Sequence, residues 1–263
     1  MIAEFDAMVG EYIAAVTDTD AMANTWFIIT ADHGDMQMEH QQFYKMVPYD
    51  ASATVPLVVW GPQMTAAESF SAATSHISLF PTIMDIAGVA RPHWPAAVEG
   101  DSLYPVVTGK APLPADSVAV SQFHGADTAM SWYLIRQGDM KLIVYGTNRE
   151  VDAQLFNITS DPGEYTNLIH LHPQVAQALD TALQHVVNYT AVSYAAAKYQ
   201  QDVFRVWQKQ HGDAWQSRLA GFPAFSSSWK QNPAGALKAV EDWISGPPTI
   251  RACRGAMAWP PQE

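Results

Sequence analysis

Cysteine is almost missing from this 263-residue sequence. The lone Cys253 excludes an internal disulfide framework and any cysteine-rich zinc module. Positive charge is scarce as well: 14 Lys and Arg stand against 26 Asp and Glu, a formal net charge of −12 with neutral histidines. That balance repels phosphate backbones and no basic stripe offsets it, so nucleic acid is not expected as a partner. No apolar run approaches a membrane span, and neither an internal repeat nor a low-complexity tract occurs. The opening residues lack the basic region and unbroken apolar run of a secretory signal, because Glu4, Asp6 and Glu11 interrupt them. With 48% hydrophobic and 15% charged residues, a sizeable core is available and global disorder is excluded.

What is present has the rhythm of an α/β domain followed by a different texture. Ile2, Phe5, Met8, Val9, Tyr12, Ile13 and Val16 trace one face of an amphipathic helix, of the kind found inside a domain. Thr25-Trp-Phe-Ile-Ile-Thr30 and Val55-Pro-Leu-Val-Val-Trp60 read as strands buried on both faces. A helix is expected over 78–87, with Pro81 in its first turn and Gly88 as its C-cap. Beyond Pro112 and Pro114, short strand-like runs at 117–122, 131–136, 140–145 and 154–158 suggest a small antiparallel sheet, with Gln137-Gly138-Asp139 as a tight turn. A helix from Pro173 follows, then a Trp-rich region with helices near 195–210 and 234–245 and a Pro-rich end that should fray. The expected division is 1–112, 113–192 and 193–263.

The chemistry-bearing segment runs from Thr30 to Pro62. Asp32 and His33 directly follow the first strand, where open α/β sheets place ligands, and Gly34 lets the chain turn sharply there. A carboxylate beside an imidazole suits a divalent metal, although a loop aspartate capping an amide next to a surface histidine would look the same. Lys45, among Phe43, Tyr44 and Met46, could neutralise an oxyanion or bind a tetrahedral anion, or could simply be a solvated lysine. Glu39 and His40 read either as a brace behind the metal's ligands or as a salt-bridged loop pair. Two N-x-Thr acceptors begin at Asn157 and Asn188, which are candidate glycosylation sites of the secretory route.

Taken in order, these residues resemble the sulfatase family. Its second half carries a strand ending in Asp-Asn/His-Gly, then Glu-His, a lysine, and a Tyr-Glu/Asp-x-Ser-x-x-Val-Pro-Leu stretch. Here these are Asp32-His33-Gly34, Glu39-His40, Lys45, and Tyr49-Asp50-Ala51-Ser52 through Val55-Pro56-Leu57. The segment from Ser78 to Gly88 is similar to the family's next landmark. Leu155-Phe-Asn-Ile-Thr-Ser-Asp-Pro-Gly-Glu-Tyr-Thr-Asn-Leu168 resembles its C-terminal Asp-Pro-x-Glu-x-x-Asn signature.

The resemblance implies an α/β fold class: the C-terminal part of an alkaline-phosphatase-like sulfatase sheet plus a small antiparallel β subdomain with helices. It implies that Asp32 and His33 hold a calcium ion and that Lys45 contacts the sulfate and assists the leaving oxygen. It also puts His124 in substrate contact, although a satisfied imidazole at a strand end is an equal reading; His76 is taken as structural. The family's nucleophile is a formylglycine made within Cys/Ser-x-Pro-x-Arg. Cys253-Arg-Gly-Ala-Met257 does not match that motif, so the formylglycine is expected in an N-terminal half that this sequence lacks, and the chain alone is expected to be inactive and aggregation-prone. For the whole enzyme the resemblance implies attack by hydrated formylglycine on sulfur, loss of the alcohol, then elimination of sulfate. Met-Glu-His-Gln-Gln-Phe-Tyr-Lys-Met and Ser-Gln-Phe-His-Gly are similar to a branch acting on 2-sulfated glucuronate of glycosaminoglycans. A sulfated sugar or aryl sulfate is therefore the expected substrate, and a lysosomal or secreted location is expected. Protonating nine histidines would take −12 to −3, so an acidic compartment near or below ~6.5 would soften repulsion of a polyanion.

Two rival readings stay open on the residues. Asp32 and His33 could bind one zinc of a two-metal phosphodiesterase or phosphatase, with His124 serving the other. Alternatively the chain could be a non-catalytic pseudoenzyme that keeps the loop without the nucleophile.

Overall fold

The computed structural model describes residues 2–64, 68–124, 131–146, 153–222 and 229–246. Cys253 and the Pro-rich end lie outside the described residues. The chain forms two compact units. One comprises Met1–Lys45, Tyr49–Ala119 and Gln137–Asp139; the other comprises Met46–Pro48, Val120–Arg136 and Met140–Glu263.

The first unit opens with helix α1 (Ile2–Asp18). Its apolar stripe is where the periodicity puts it, but none of its residues is buried and Ile2 is 89% exposed. Strand β1 (Phe27–Thr30) pairs antiparallel with β4 (Leu57–Trp60), with Thr30 opposite Leu57 and Phe27 opposite Trp60. The expectation of strands buried on both faces is corrected here. Each is part of a two-stranded sheet, and Val58 and Trp60 of β4 are exposed. Between them a small hairpin joins β2 (Met36–Gln37) to β3 (Phe43–Tyr44), followed by the helical turn α2 (Asp50–Ala53). Helix α3 (Leu79–Ile86) buries Pro81 and Thr82. Its C-cap is Ala87, one residue before the expected Gly88, which takes φ +67° and donates to the Asp85 carbonyl. The short helix α4 (Tyr104–Val107) packs on α3.

The four strand-like runs after Pro114 form one sheet in sequence order: β5 (Val118–Phe123), β6 (Trp132–Gln137), β7 (Met140–Tyr145) and β8 (Gln154–Asn157). Gly138 and Asp139 make the turn between β6 and β7, while Gln137, expected in that turn, ends β6. Because side chains alternate across a strand, Tyr133, Ile135, Leu142, Val144 and Leu155 share a face. Helix α5 (Pro173–Val186) covers them with Ala176, Leu179 and Leu183. The Asp-Pro-x-Glu-x-x-Asn signature closes the end of this sheet. Asp161 accepts from the Thr166 amide, and Asn167 Oδ1 accepts from the amides of Leu155 and Ile169.

Helix α6 (Tyr189–His211) is capped by Asn188, whose Oδ1 accepts from the Ala191 amide at 3.0 Å. With α7 (Trp215–Gly221) and α8 (Pro233–Ser245) it forms an aromatic cluster in which Leu219 and Val240 are buried among Phe204, Trp207, Trp215 and Trp229. Among the described residues, no helix is long and apolar enough to cross a membrane.

Candidate active site

The end of β1 is fixed from two directions before the first candidate ligand appears. Thr30 Oγ1 lies 2.9 Å from His76 Nε2, reaching across from the 3₁₀ turn (His76–Ser78) ahead of α3. Two residues beyond Asp32, the Gly34 amide donates to the Ser52 carbonyl at 2.9 Å. A Cβ on Gly34 would stand 2.1 Å from the Ala51 carbonyl oxygen. Glycine is therefore required here because another backbone passes too close, not because of a left-handed φ. The sequence had suggested only a sharp turn.

Within that clamp, Asp32 and His33 face each other. Asp32 Oδ1 accepts from the His33 amide at 3.0 Å, and Oδ2 lies 3.2 Å from His33 Nε2. His33 Nδ1 lies 2.7 Å from the Gly34 carbonyl oxygen. A carbonyl only accepts, so the proton is on Nδ1 and the lone pair of Nε2 points outward. Lys45 Nζ takes up a position 2.7 Å from that same Nε2. A carboxylate, an imidazole and an ammonium thus meet at one atom. Asp32 keeps 85% of its side chain exposed and His33 36%, so the site is open to solutes.

The hairpin that returns Lys45 to His33 is irregular. Met38, His40, Gln41, Tyr44 and Met46 all adopt positive φ, between +51° and +91°, a region L-residues seldom occupy. Glu39 turns to the Gln37 amide, and that hydrogen bond holds its carboxyl below the usual carboxylate range. His40 stacks on Tyr49 with ring centroids 3.7 Å apart. Both residues therefore shape the loop that carries Lys45.

His124 closes strand β5 in the second unit. Its ring meets Tyr133 edge-on at 5.3 Å, and both ring nitrogens are buried with no hydrogen-bond partner among the described residues. Burial pushes its pKa below the ordinary value of 6.5. Of the sequon residues, Asn188 is exposed, while Asn157 Oδ1 accepts from the amides of Thr159 and Ser160.

The donor set fits a divalent cation. The Nδ1 bond to Gly34 holds the ring in the tautomer a ligand needs, and Oδ2 and Nε2 are close enough for one cation to touch both. Among the described residues, no group of three or more His, Cys, Asp and Glu side chains gathers, so this pair is a partial seat. Sequence reasoning missed the His76–Thr30 clamp, 46 positions apart and carrying no motif.

Residues 1–89 match the Sulfatase family model. Arylsulfatase K of Xenopus laevis is 34% identical over 251 residues, covering 93% of this chain and 46% of the relative. The chain thus spans about half the length of the curated relatives it matches. A structure solved in complex with its substrate D-glucosamine-2-N,6-O-disulfate superposes with a TM-score of 0.61 at 25% identity, covering 70% of this chain and 38% of that one. A 2-O GAG sulfatase superposes with a TM-score of 0.60 at 26% identity, covering 70% of this chain and 40% of its own. The likeness to sulfatases read from the motifs holds both in sequence and in fold.

Proposed function

We infer that this sulfatase-like chain supplies the cation seat and the anion-contacting lysine of a sulfuric ester hydrolase. The observation that carries this reading is the meeting of Asp32 Oδ2 and Lys45 Nζ at His33 Nε2. A neighbouring carboxylate and imidazole suit a cation, while the nearby ammonium suits a tetrahedral anion.

Asp32 and His33 hold the cation, which we take to be calcium. Bound there, a divalent cation orients a sulfate and spreads its negative charge. Lys45 binds a sulfate oxygen and stabilises charge on the departing alcohol oxygen. Glu39 and His40 hold the loop that positions Lys45. His124 is a proposed substrate contact, and burial lowers its pKa from the ordinary value. The nucleophile, a formylglycine by family resemblance, has no matching motif among the 263 residues.

The substrate we propose is a sulfated sugar, in particular 2-sulfated glucuronate of a glycosaminoglycan. The likenesses to Arylsulfatase K, to a structure holding a disulfated glucosamine and to a 2-O GAG sulfatase support that class. A lysosomal or secreted location, with glycans on Asn157 and Asn188, is the matching proposal and rests on the two sequons.

The test is turnover of an aryl sulfate by a complete enzyme containing these residues. Lys45→Ala should lower kcat by about 10²-fold or more at unchanged protein abundance. Full activity in both Lys45→Ala and Asp32→Ala would refute the assignment.

A further inference from the structure

One imidazole nitrogen has two claimants. His33 Nδ1 is committed to the Gly34 carbonyl, which leaves Nε2 with a single lone pair. Lys45, whose ammonium has three donors and no acceptor, lies 2.7 Å from that nitrogen and uses that lone pair. A cation ligated by His33 needs the same lone pair, and both cannot have it.

We propose that cation binding and release of Lys45 are one event. The ammonium guards the imidazole until a divalent cation displaces it, and only then is it free to take an anionic oxygen of a substrate. This rests on the cation seat proposed above and adds an order of binding to it.

Charge points the same way. Asp32 Oδ2 and the Nε2 lone pair stand 3.2 Å apart and both accept, so a positive charge beside them is favoured. Lys45 supplies that charge when no metal does; a cation in its place makes the ammonium redundant and repelled. Lys45 is exposed, so rotation of its side chain suffices and no backbone has to move. By linkage, whatever weakens the Lys45–His33 bond must tighten the cation.

Calcium titration calorimetry of a complete enzyme containing these residues, beside its Lys45→Met and Lys45→Ala variants, tests this directly, without reference to turnover. Both variants should bind calcium about tenfold more tightly than the parent, since the competing charge-assisted bond is gone. Simple through-space repulsion would give a similar gain at about 0.1 M salt but would lose it near about 1 M, whereas competition for a lone pair persists at both. Equal affinities in parent and variants would overturn the inference, as would a gain that disappears at high salt. Weaker binding by both variants would also overturn it, because Lys45 would then support the seat. Absence of calcium binding by the parent would instead refute the cation seat itself.

Discussion

Lys141 Nζ lies 2.6 Å from Glu164 Oε1 with the two side chains 1% and 2% exposed, a buried ion pair between β7 and the signature loop after β8. Lys141 sits opposite Phe156 in the β7–β8 ladder, so the pair pins the Asp-Pro-x-Glu-x-x-Asn loop to the sheet. Removing either partner takes away the counter-charge that the other meets in this buried pair. Lys141→Met or Glu164→Gln should each cost about 3–5 kcal/mol, and the double change Lys141→Met with Glu164→Leu should recover most of it. Denaturant midpoints of the parent and the three variants read this; a double variant no better than the worse single one would contradict it.

Gly34→Ala should damage both fold and site. The new Cβ would meet the Ala51 carbonyl, and neither backbone can move without disturbing β1 or α2. A loss of about 1–3 kcal/mol is expected, together with weaker cation binding because the Gly34 carbonyl orients His33. Thermal unfolding and calcium titration of the variant measure the two effects; an unchanged melting temperature would show that the approach is looser than described.

His124 should make stability pH-dependent on the acid side. Its folded pKa lies below the ordinary 6.5 because burial disfavours the cation. Between the folded value and 6.5 the unfolded chain binds more protons, so stability is full above 6.5 and is lost as pH falls through that window. His124→Phe keeps a ring against Tyr133 and removes the titration. Its stability should fall less than the parent's as pH is lowered below 6.5; parallel pH profiles would contradict this.

The sheet of the second unit was legible because each strand carries its own punctuation. Gly138-Asp139 fixes the β6–β7 turn, and the alternating apolar residues of β6 and β7 set which side faces α5. Pro173 marked the start of α5 for the same local reason. By contrast, the apolar runs of β1 and β4 carry no information on direction or neighbours, and their antiparallel pairing with one exposed side is a tertiary outcome. Nor does the stripe on α1 tell whether anything covers it. At the site, the Asp32-His33 pair was readable because adjacency in sequence already makes it local. Lys45 was nominated by type, but its return to His33 depends on five non-glycine residues at positive φ, which no hydrophobic pattern encodes. Lys141 and Glu164 were hidden for a related reason: 23 positions separate them, and charged residues are ordinarily expected outside.

The most direct measurement of the central claim is calcium titration of a complete enzyme containing these residues beside its Asp32→Ala and His33→Ala variants. The account predicts saturable binding of one ion by the parent, with affinity reduced about tenfold or more in each variant. Equal binding by all three proteins would place the ion elsewhere and contradict the assignment of Asp32 and His33 as its seat.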